Sequence, residues 1–531
     1  MSYDDNTYAT DPKTGLMLTR RELLKGAAAL GAGAMLSPLA AGIAQAATPK
    51  RGGHFRIALE HGNTTDSYDP ATWDNGFVQC FAYSRDAYLT EIAPDNSLSA
   101  SLAESWEATP DAKTWTFKLV EGATFHDGSP VTAADVIASL NYHRGEDSKS
   151  AAKPIVAPIT EMRADGDSVV AITLEAGNAD FPFVLSDYHL VIRKAKDGKI
   201  DPNSPIGAGS YRVKSFEPGV RAVLERRDDH WKSGVAHFDT AEILSIVDGA
   251  ARQNALLTGE VDAIDSVDLN TVHLMKRRPD VTVLPVTGTQ HYTFVMDCRA
   301  EPFNDVNVRL ALKHAIDREE LVEKILNGYG SVGNDHPIGL SNRYHAAELE
   351  QRSYDPDKAK HYLKKAGMSS LDVSLSAADA AFSGAVDAGV LFAEKAAKAG
   401  INLNVVREPN DGYWSNVWMK KPFSAVYWGG RPTEDWMFST AYQSGVAWND
   451  AFWSNAEFDK LLAMARSELD EAKRREMYVE MQRLVRDDGG TIIPMFAAYV
   501  GAHSNKVTHG ENVAANWSMD GWRVIERWWF A

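Results

Sequence analysis

Short strand-like runs alternate with helix-like runs along most of the chain, and this alternation limits the fold more than any other feature. Residues 115–119 alternate between apolar and polar side chains with the period of two that is typical of a half-buried strand. Residues 308–316 carry apolar side chains at helical spacing, as do residues 458–465. Because the two kinds of run interleave, the sequence predicts an α/β protein rather than a helical bundle.

Turn and capping residues predict where several elements begin and end. Residues 125–130 have the composition of a turn, and Thr132 with Asp135 is typical of a helix N-terminus. The glycine pair that follows Asp488 predicts the end of a long helix, with a strand starting at Thr491.

The chain is long enough for several domains and carries an excess of negative charge. It has 531 residues, with 55 Lys and Arg against 72 Asp and Glu, for a formal net charge of −17. At roughly 150 residues per domain this length predicts two to four domains, each able to bury its own core. Because nucleic acids and anionic membranes attract basic surfaces, we expect neither as a partner.

The first 46 residues have the composition of an export signal. Arg20 and Arg21 precede a weakly apolar run, residues 26–46, whose glycines and polar residues exclude a membrane span of ~20 strongly apolar residues. The arginine pair resembles a twin-arginine signal, and the run ends in a small-x-small signal peptidase pattern. The alternative is a chance arginine pair before a short Ala-rich helix. We predict twin-arginine export, cleavage near Ala46, and, since no cysteine occupies that site, no lipid anchor.

The sequence lacks the motifs that identify common enzymes and metal proteins. It has no Gly-x-Ser-x-Gly elbow, no His-Glu-x-x-His pair and no Gly-x4-Gly-Lys phosphate loop. None of its 15 histidines pairs at the spacing of a helical metal site. The neighbours Glu434 and Asp435 have acid–base chemistry, but adjacent residues seldom converge on one substrate bond. We therefore predict no catalytic residues, no metal and no cofactor.

The two cysteines and one turn histidine have structural interpretations. Cys80 and Cys298 are too few for a disulfide scaffold or a four-cysteine zinc site, although one disulfide between them remains open. His126 lies in a turn beside Asp127, and we predict a structural hydrogen bond for it rather than a role as a ligand.

Aromatic residues are concentrated between positions 413 and 453. Trp and Tyr combine a large apolar face with a polar group, which suits the wall of a small-molecule cleft. We expect Phe423, Phe438 and Phe452 to fill a core instead. The segment holds 12 aromatics: Tyr413, Trp414, Trp418, Phe423, Tyr427, Trp428, Trp436, Phe438, Tyr442, Trp448, Phe452 and Trp453.

One arginine within this segment is placed to bind an anion. Gly429 and Gly430 follow an apolar strand, and two glycines let a ligand or an opposing loop approach the backbone closely. A guanidinium directly after them, at Arg431, can hold a carboxylate with two hydrogen bonds. The alternative is an internal salt bridge to Glu434 or Asp435.

Seven segments, in the same order along the chain, resemble the solute-binding proteins of bacterial ABC importers, family 5, the oligopeptide, dipeptide and nickel group. Each segment alone is a weak match, but together they cover nearly the whole chain after the signal. They are residues 102–106, 125–136, 205–211, 257–262, 302–309, 315–319 and 354–359.

The resemblance implies a two-lobed periplasmic-binding-protein fold (type II, cluster C) with an extra inserted domain, in which the lobes close on a ligand by hinge motion. Transferred family boundaries place the signal at 1–46 and the inserted domain at 86–204. Lobe two covers 296–494, and lobe one is assembled from 47–85, 205–295 and 495–531.

The resemblance also implies which residues touch the ligand. In peptide-binding members an aspartate, three residues after the tryptophan that matches Trp428, holds the ammonium of the peptide. This chain has Arg431 at that position, so a carboxylate fits better. The implied ligand residues are Asn75, Gly76, Phe77, Val78, Ser383, Gly384, Tyr413, Trp414, Trp428, Gly429, Gly430 and Arg431.

The sequence therefore predicts a monomeric periplasmic receptor, not an enzyme, that delivers a small acidic organic solute to ABC permease subunits in the inner membrane. The solute is opine-like, an amino-acid or sugar conjugate, or a modified peptide. Three alternatives stay open. They are an ordinary di- or oligopeptide with its ammonium held by Glu434 or Asp435, a nickel complex, and an exported hydrolase that uses a carboxylate pair.

Overall fold

A computed structural model of the chain describes residues 8–10, 17–19 and 49–531. The chain divides into two compact units, residues 1–46 and 47–531. In the first unit, strands Tyr8–Thr10 and Met17–Thr19 pair antiparallel. The predicted arginine pair and cleavage site lie outside the described residues. None of the helices in the described part has the length and apolar character needed to cross a bilayer.

One mixed sheet of eleven strands runs through the second unit. Ten strands follow one another in hydrogen-bonded order, and the eleventh, Gly330–Val332, pairs with Thr491–Ser504 beside them. The order is Tyr211–Glu217, Arg221–Arg226, Thr240–Ser245, His54–Leu59, Ala263–Ile264, Thr491–Ser504, Val281–Met296, Phe423–Trp428, Leu371–Ala377 and Ile401–Arg407.

Two long antiparallel strands, Val281–Met296 and Thr491–Ser504, join the two halves of this sheet. Residues 281–287 pair with 498–504, and residues 291–295 pair with 491–496. Between these stretches the register shifts, so that residues 288–290 stand opposite the single residue Ala497. Such a bulge bends its strand locally. The irregularity therefore lies where one half of the sheet passes into the other.

A second, four-stranded antiparallel sheet belongs to residues 86–204. Its order is Ala103–Ala108, Thr114–Leu119, Val169–Leu174 and Ile159–Asp165. Three two-stranded sheets complete the described strands of the second unit: Thr90–Ile92 with Leu98–Ala100, Ala195–Lys196 with Lys199–Ile200, and Val507–Thr508 with Trp529–Phe530.

The helices of the described residues pack on both sheets. One is a 3-10 helix, Pro70–Thr72. The others are Gly76–Arg85, Ala133–Tyr142, Lys153–Val156, Phe181–Val184, Gly249–Thr258, Val272–Met275, Val306–His314, Arg318–Ile325, Pro356–Lys365, Ala385–Ala397, Tyr413–Asn416, Glu434–Ala441, Ala456–Ser467, Glu471–Asp488, Ser518–Gly521 and Val524–Arg527.

Local predictions from the sequence are confirmed at several of these elements. Along the strand Thr114–Leu119 alternate side chains are buried. At the start of Ala133–Tyr142, Asp135 Oδ2 accepts the backbone N–H of Thr132 at 2.8 Å and its hydroxyl at 2.7 Å. The helix Glu471–Asp488 is followed by Gly489 and then by the strand that begins at Thr491. Cap and turn chemistry thus identified these boundaries correctly.

Several separate apolar clusters form the core. One cluster lies within residues 87–208 and packs around Phe117, Phe125 and Ile172. A second cluster, which includes Phe55 and Phe238, packs on one half of the large sheet. A third, which includes Phe294 and Phe392, packs on the other half. The predicted α/β class is confirmed, whereas the assignment of boundaries to two lobes and an inserted domain stays a prediction.

The cysteines and His126 have structural surroundings. Cys80 is buried and Cys298 is partly buried, and both are free thiols. His126 Nδ1 accepts the backbone N–H of Gly207 at 3.1 Å, and Nε2 lies 3.1 Å from the carbonyl oxygen of Gly209. The predicted structural hydrogen bond of His126 is therefore confirmed.

A buried ion pair connects residues 86–204 to the helix Glu471–Asp488. Arg474 Nη1 donates to Asp180 Oδ1 at 2.9 Å, and Nη2 lies 2.8 Å from Oδ2. The exposed fractions of the two side chains are only 2% and 4%. The backbone N–H of Ala179 also donates to the carbonyl oxygen of Arg466 at 2.7 Å. These contacts connect residues 86–204 to the helices Ala456–Ser467 and Glu471–Asp488.

Replacing Arg474 tests how much this connection stabilises the protein. Arg474→Met leaves Asp180 charged and buried, and we expect the free energy of unfolding to fall by about 3–5 kcal/mol. The matched control is Arg475→Met, which removes a pair with Glu348 whose side chains are 44% and 46% exposed; we expect a loss below about 1 kcal/mol. Urea unfolding measures both changes. Equal losses for the two variants would contradict the role given to Arg474.

Candidate functional site

A cavity of about 370 Å3 lies where three parts of the chain meet. The first part is residues 86–204 with the neighbouring Tyr83, the second is residues 430–448, and the third is Asn516 with Trp517. Its size falls in the range of small-molecule sites. Its aromatic lining consists of Tyr83, Phe183, Tyr188, Trp436, Trp448 and Trp517.

Gly430 carries the chain into this cavity in a conformation that favours glycine. Its φ is +71°, and a Cβ at this position would overlap the side chain and the carbonyl oxygen of Thr289. Thr289 belongs to the irregular stretch 288–290 between the paired parts of the long strands. Positive φ and close packing together exclude a side chain here, so the backbone at Gly430 fixes where Arg431 begins.

Arg431 lines the cavity without an ion-pair partner among the described residues. Its Nη1 donates to the carbonyl oxygen of Gly430 at 2.6 Å. The guanidinium carbon lies 6.0 Å from the ring centre of Trp428 and 5.9 Å from that of Trp436. Burial lowers the pKa of Arg431 because the charged form loses hydration. The remaining N–H groups are left for an anion that enters the cavity.

The two carboxylates nearest to Arg431 in sequence are engaged elsewhere. Glu434 Oε1 accepts the backbone N–H of Tyr344 at 2.7 Å. Asp435 Oδ1 accepts from Arg466 Nε at 3.0 Å. The internal salt bridge that the sequence left open is therefore not formed. Burial raises the pKa of Glu434 to about 7 and that of Asp435 to about 6, with Arg466 opposing the rise at Asp435.

Trp428 supports the site from behind the guanidinium. It is buried, and its Nε1 donates to Asp450 Oδ2 at 3.3 Å, which Trp418 Nε1 also reaches at 3.2 Å. Burial raises the pKa of Asp450 to about 6, although both indole hydrogen bonds oppose the rise. Trp448, half of whose surface is exposed, lies 6.2 Å from Trp428 between ring centres. The aromatic segment therefore supplies both a buried support and an open wall.

Of the twelve residues predicted from the sequence, Gly430 and Arg431 line this cavity, and Trp428 lies behind Arg431 without lining it. Gly429 is exposed beside them. Ser383 and Gly384 precede the helix Ala385–Ala397 and do not line the cavity. Their part in binding stays a prediction.

Two further predicted positions occupy other places. Tyr413 is buried, and its hydroxyl lies 2.8 Å and 3.2 Å from the carbonyl oxygens of Ala425 and Ser376. Trp414 is 40% exposed and packs edge-on against Tyr427. Neither lines the cavity. The expectation for Phe423 and Phe438 is confirmed, since both are fully buried, whereas Phe452 is only partly buried and lies under Arg299.

The predicted stretch at positions 75–78 starts a helix and does not line the cavity. Asn75 caps Gly76–Arg85 by accepting from the backbone N–H groups of Phe77 and Val78 at 3.0 and 3.3 Å. Gly76, Phe77 and Val78 are buried. The same helix reaches the cavity two turns later through Tyr83. These residues do not line the cavity because Asn75 caps the helix and the residues after it are packed in the interior.

The sequence did not single out Asp187, Tyr188, His189, Asn516 or Trp517, all of which line the cavity. They are far from the aromatic segment in sequence and approach it only in the folded chain. A charged residue beside aromatic ones, as in Asp187-Tyr188-His189, was the one local signal for them. Within the described residues, no group of three or more His, Cys, Asp or Glu side chains is placed to hold a metal ion.

Comparison with known proteins identifies one family. Residues 97–450 match the model of the bacterial extracellular solute-binding proteins, family 5 (middle). The glutathione-binding protein GsiB of Pectobacterium atrosepticum is 25% identical over 465 residues, which cover 84% of this chain and 90% of that protein.

Two solved structures with the same fold align with this chain over almost their whole length. HbpA2 of Haemophilus parasuis superposes with a TM-score of 0.79 at 19% identity, covering 88% of this chain and 99% of the other. AgaA of A. tumefaciens R10, solved in complex with agropinic acid, superposes with a TM-score of 0.69 at 24% identity, covering 90% and 99%. Both likenesses support the predicted fold, and the two-lobed α/β fold is shown.

The raised pKa of Glu434 gives the stability of the protein a pH dependence. The protonated carboxyl of Glu434 makes its full contribution to the free energy of unfolding below about pH 4.5. That contribution, about 3 kcal/mol, is lost as the pH rises through about 7. Glu434→Gln keeps an acceptor for Tyr344 and removes the titration. We expect its free energy of unfolding to fall less than that of the wild type between about pH 5 and pH 8.

Urea unfolding at several pH values measures this difference. The control is Glu323→Gln, whose side chain is 73% exposed and which should keep the pH dependence of the wild type. An unchanged pH dependence in Glu434→Gln would show that Glu434 ionises freely in the folded protein.

Proposed function

The chain belongs to family 5 of the bacterial extracellular solute-binding proteins, and on that premise we propose that its cargo is a small acidic organic solute held by Arg431. Members of this family bind small-molecule or peptide ligands and work with ABC permeases. The chain is accordingly a binding component of an importer. Its cargo is opine-like, an amino-acid or sugar conjugate, or a modified peptide.

The observation that carries the proposal is the guanidinium of Arg431, which lines the cavity while Glu434 and Asp435 bond to other groups. Arg431 is partly buried, and a partly buried charge without a partner is unfavourable, so an anion gains by entering. A charge-assisted bidentate pair contributes about 1.5–3 kcal/mol. Burial of ~200 Å2 of apolar ligand surface on the indole walls adds about 5 kcal/mol before entropy costs. Together these terms reach the ~8 kcal/mol of micromolar affinity only when the cavity is preorganised and the entropy cost of binding is small.

The relatives are consistent with this class of cargo. GsiB is named for glutathione, and AgaA was solved with agropinic acid. Both compounds carry carboxylate groups, which an arginine can hold with two parallel hydrogen bonds.

In this proposal the two lobes close on the cargo about a hinge formed by the long strands Val281–Met296 and Thr491–Ser504. Lobe one is built from 47–85, 205–295 and 495–531, lobe two from 296–494, and residues 86–204 are inserted in lobe one. In the described residues, Thr491–Ser504 pairs with Ala263–Ile264 of lobe one and with Gly330–Val332 of lobe two, and its partner Val281–Met296 pairs with Phe423–Trp428 of lobe two. The bulge at 288–290 packs against Gly430, which precedes Arg431. Ligand binding at Arg431 and hinge motion of the lobes would therefore act on the same stretch of backbone.

The protein acts in the periplasm as a monomer in this proposal. The arginine pair, Arg20 and Arg21, directs it through the twin-arginine pathway, and cleavage near Ala46 releases it without a lipid anchor. It then presents its cargo to permease subunits in the inner membrane.

Arg431→Met tests the anchor. We expect it to weaken binding of acidic probes at least about tenfold, because the bidentate pair is lost. The free energy of unfolding without ligand should not fall, because the variant removes a partly buried cation that has no ion-pair partner among the described residues. Calorimetry with glutathione, agropinic acid, alanylalanine and the nickel–histidine complex compares the cargo classes. Arg299→Gln is the matched control, since that arginine also lies over an aromatic ring, Phe452, but outside the cavity.

Unchanged binding of every acidic probe by Arg431→Met would overturn the proposal. Mass spectrometry of the compound that copurifies with the wild type adds an independent answer. A neutral compound or a nickel complex would replace the acidic solute, and a compound cleaved during incubation would favour the hydrolase.

The export route has its own test. Replacing both Arg20 and Arg21 by Lys should keep the protein in the cytoplasm, because the twin-arginine pathway reads the guanidinium pair. Cell fractionation and N-terminal sequencing of the periplasmic wild type, expected to begin near Ala47, measure the outcome. Normal export of the double variant would assign the signal to another pathway.

A further inference from the structure

The cavity that holds Arg431 has a second charged residue on another of its walls. Of the nineteen residues that line it, one is the cation Arg431 and one is the acid Asp187, beside the titratable His189. Arg431 follows the strand Phe423–Trp428, whereas Asp187 follows the short helix Phe181–Val184 in residues 86–204. The two opposite charges therefore come from different parts of the chain and share one space.

The carboxylate of Asp187 is held by one of its oxygens. Oδ1 accepts the backbone N–H of His189 at 3.0 Å and lies 2.7 Å from its ring Nδ1. The other ring nitrogen of His189 lies 2.9 Å from the carbonyl oxygen of Trp73. His189 is itself buried. The imidazole ring is thus held between two oxygen atoms. It contacts only one oxygen of the Asp187 carboxylate, with which it forms an ion pair when the ring is protonated.

The second oxygen of Asp187 is left for a ligand. Oδ2 receives no hydrogen bond from any described residue, although the side chain is only 13% exposed. A carboxylate with one unoccupied oxygen in a confined, aromatic space is a site for a cationic donor. The pKa of Tyr188, on the same cavity wall, is raised mainly by burial and in addition by the negative charge of Asp187.

The aromatic lining suits the same kind of group. Tyr188, Trp436 and Trp517 line the cavity with Asp187. The faces of Trp and Tyr rings attract cations, and an ammonium group among them gains from both the rings and the carboxylate. A neutral donor beside Asp187 gains a hydrogen bond but no attraction between opposite charges, and an anionic group is repelled.

We propose that the cavity selects a zwitterionic cargo, with its carboxylate on Arg431 and a protonated amine on Asp187 Oδ2. The inference rests on the proposed function and narrows it. Among acidic solutes, it selects those with a free primary or secondary amine, such as N-substituted amino acids and peptide-derived acids. It excludes sugar acids without nitrogen and acids whose amine is acylated.

Asp187→Asn tests the inference without disturbing the loop, because the amide oxygen still accepts from His189. Calorimetry compares three amine-bearing acids, glutathione, alanylalanine and glutamate, with their N-acetyl derivatives. We expect the wild type to bind at least one free amine at least about tenfold more tightly than its acetylated form. Asp187→Asn should reduce that preference to near one, through weaker binding of the free amine only.

Two controls separate the possible failures. Asp228→Asn, whose side chain is 86% exposed, changes the net charge equally and should bind like the wild type. Arg431→Met should weaken free and acetylated acids alike. If Asp187→Asn keeps the preference of the wild type, or if no free amine is preferred, the zwitterion inference is overturned. The proposed function fails separately if Arg431→Met binds all acids as the wild type does.

Discussion

The antiparallel pairing of Val281–Met296 with Thr491–Ser504 is the constraint on which the rest of residues 49–531 depends. One end of this strand pair continues into the strands that include His54–Leu59, and the other end continues into those that include Phe423–Trp428. The register shift at 288–290 falls between the two ends, where Thr289 packs directly on Gly430. The path of the chain to Arg431 is therefore set by strand pairing up to Trp428 and by the packing of Gly430 on Thr289.

Arg474, which is buried, and Arg431, which is partly buried, differ in how their charges are balanced. Arg474 faces Asp180 with two short contacts, so its charge is balanced within the chain. Arg431 has aromatic rings and one carbonyl oxygen around it and no ion-pair partner among the described residues. Since removing a cation from water costs several kcal/mol unless an anion compensates, the second arrangement is understandable when the anion arrives with the cargo. Proximity in sequence does not decide such pairing, as the other partners of Glu434 and Asp435 demonstrate.

Much of the fold was predictable because its signals are local. Apolar periodicity placed the strand Thr114–Leu119, and capping chemistry placed the start of Ala133–Tyr142 and the end of Glu471–Asp488. The glycines and aromatics beside Arg431 also indicated its place in a cavity, whereas its role in binding stays a prediction. The residues that complete the cavity were not, because Asp187 and Trp517 meet Arg431 only through tertiary contacts. Likewise, nothing local distinguishes Tyr413, whose hydroxyl is used inside the core, from a tyrosine that faces a ligand.

The division of tasks between Gly430 and Arg431 has a practical consequence. Position 430 fixes the path of the main chain against Thr289 and tolerates no side chain. Position 431 supplies chemistry at the end of that path without helping to determine it. Under the proposed function, a substitution at position 431 alone would change the cargo while the scaffold is kept. The protein would then be a convenient starting point for engineered fluorescent sensors whose analyte differs from the natural one.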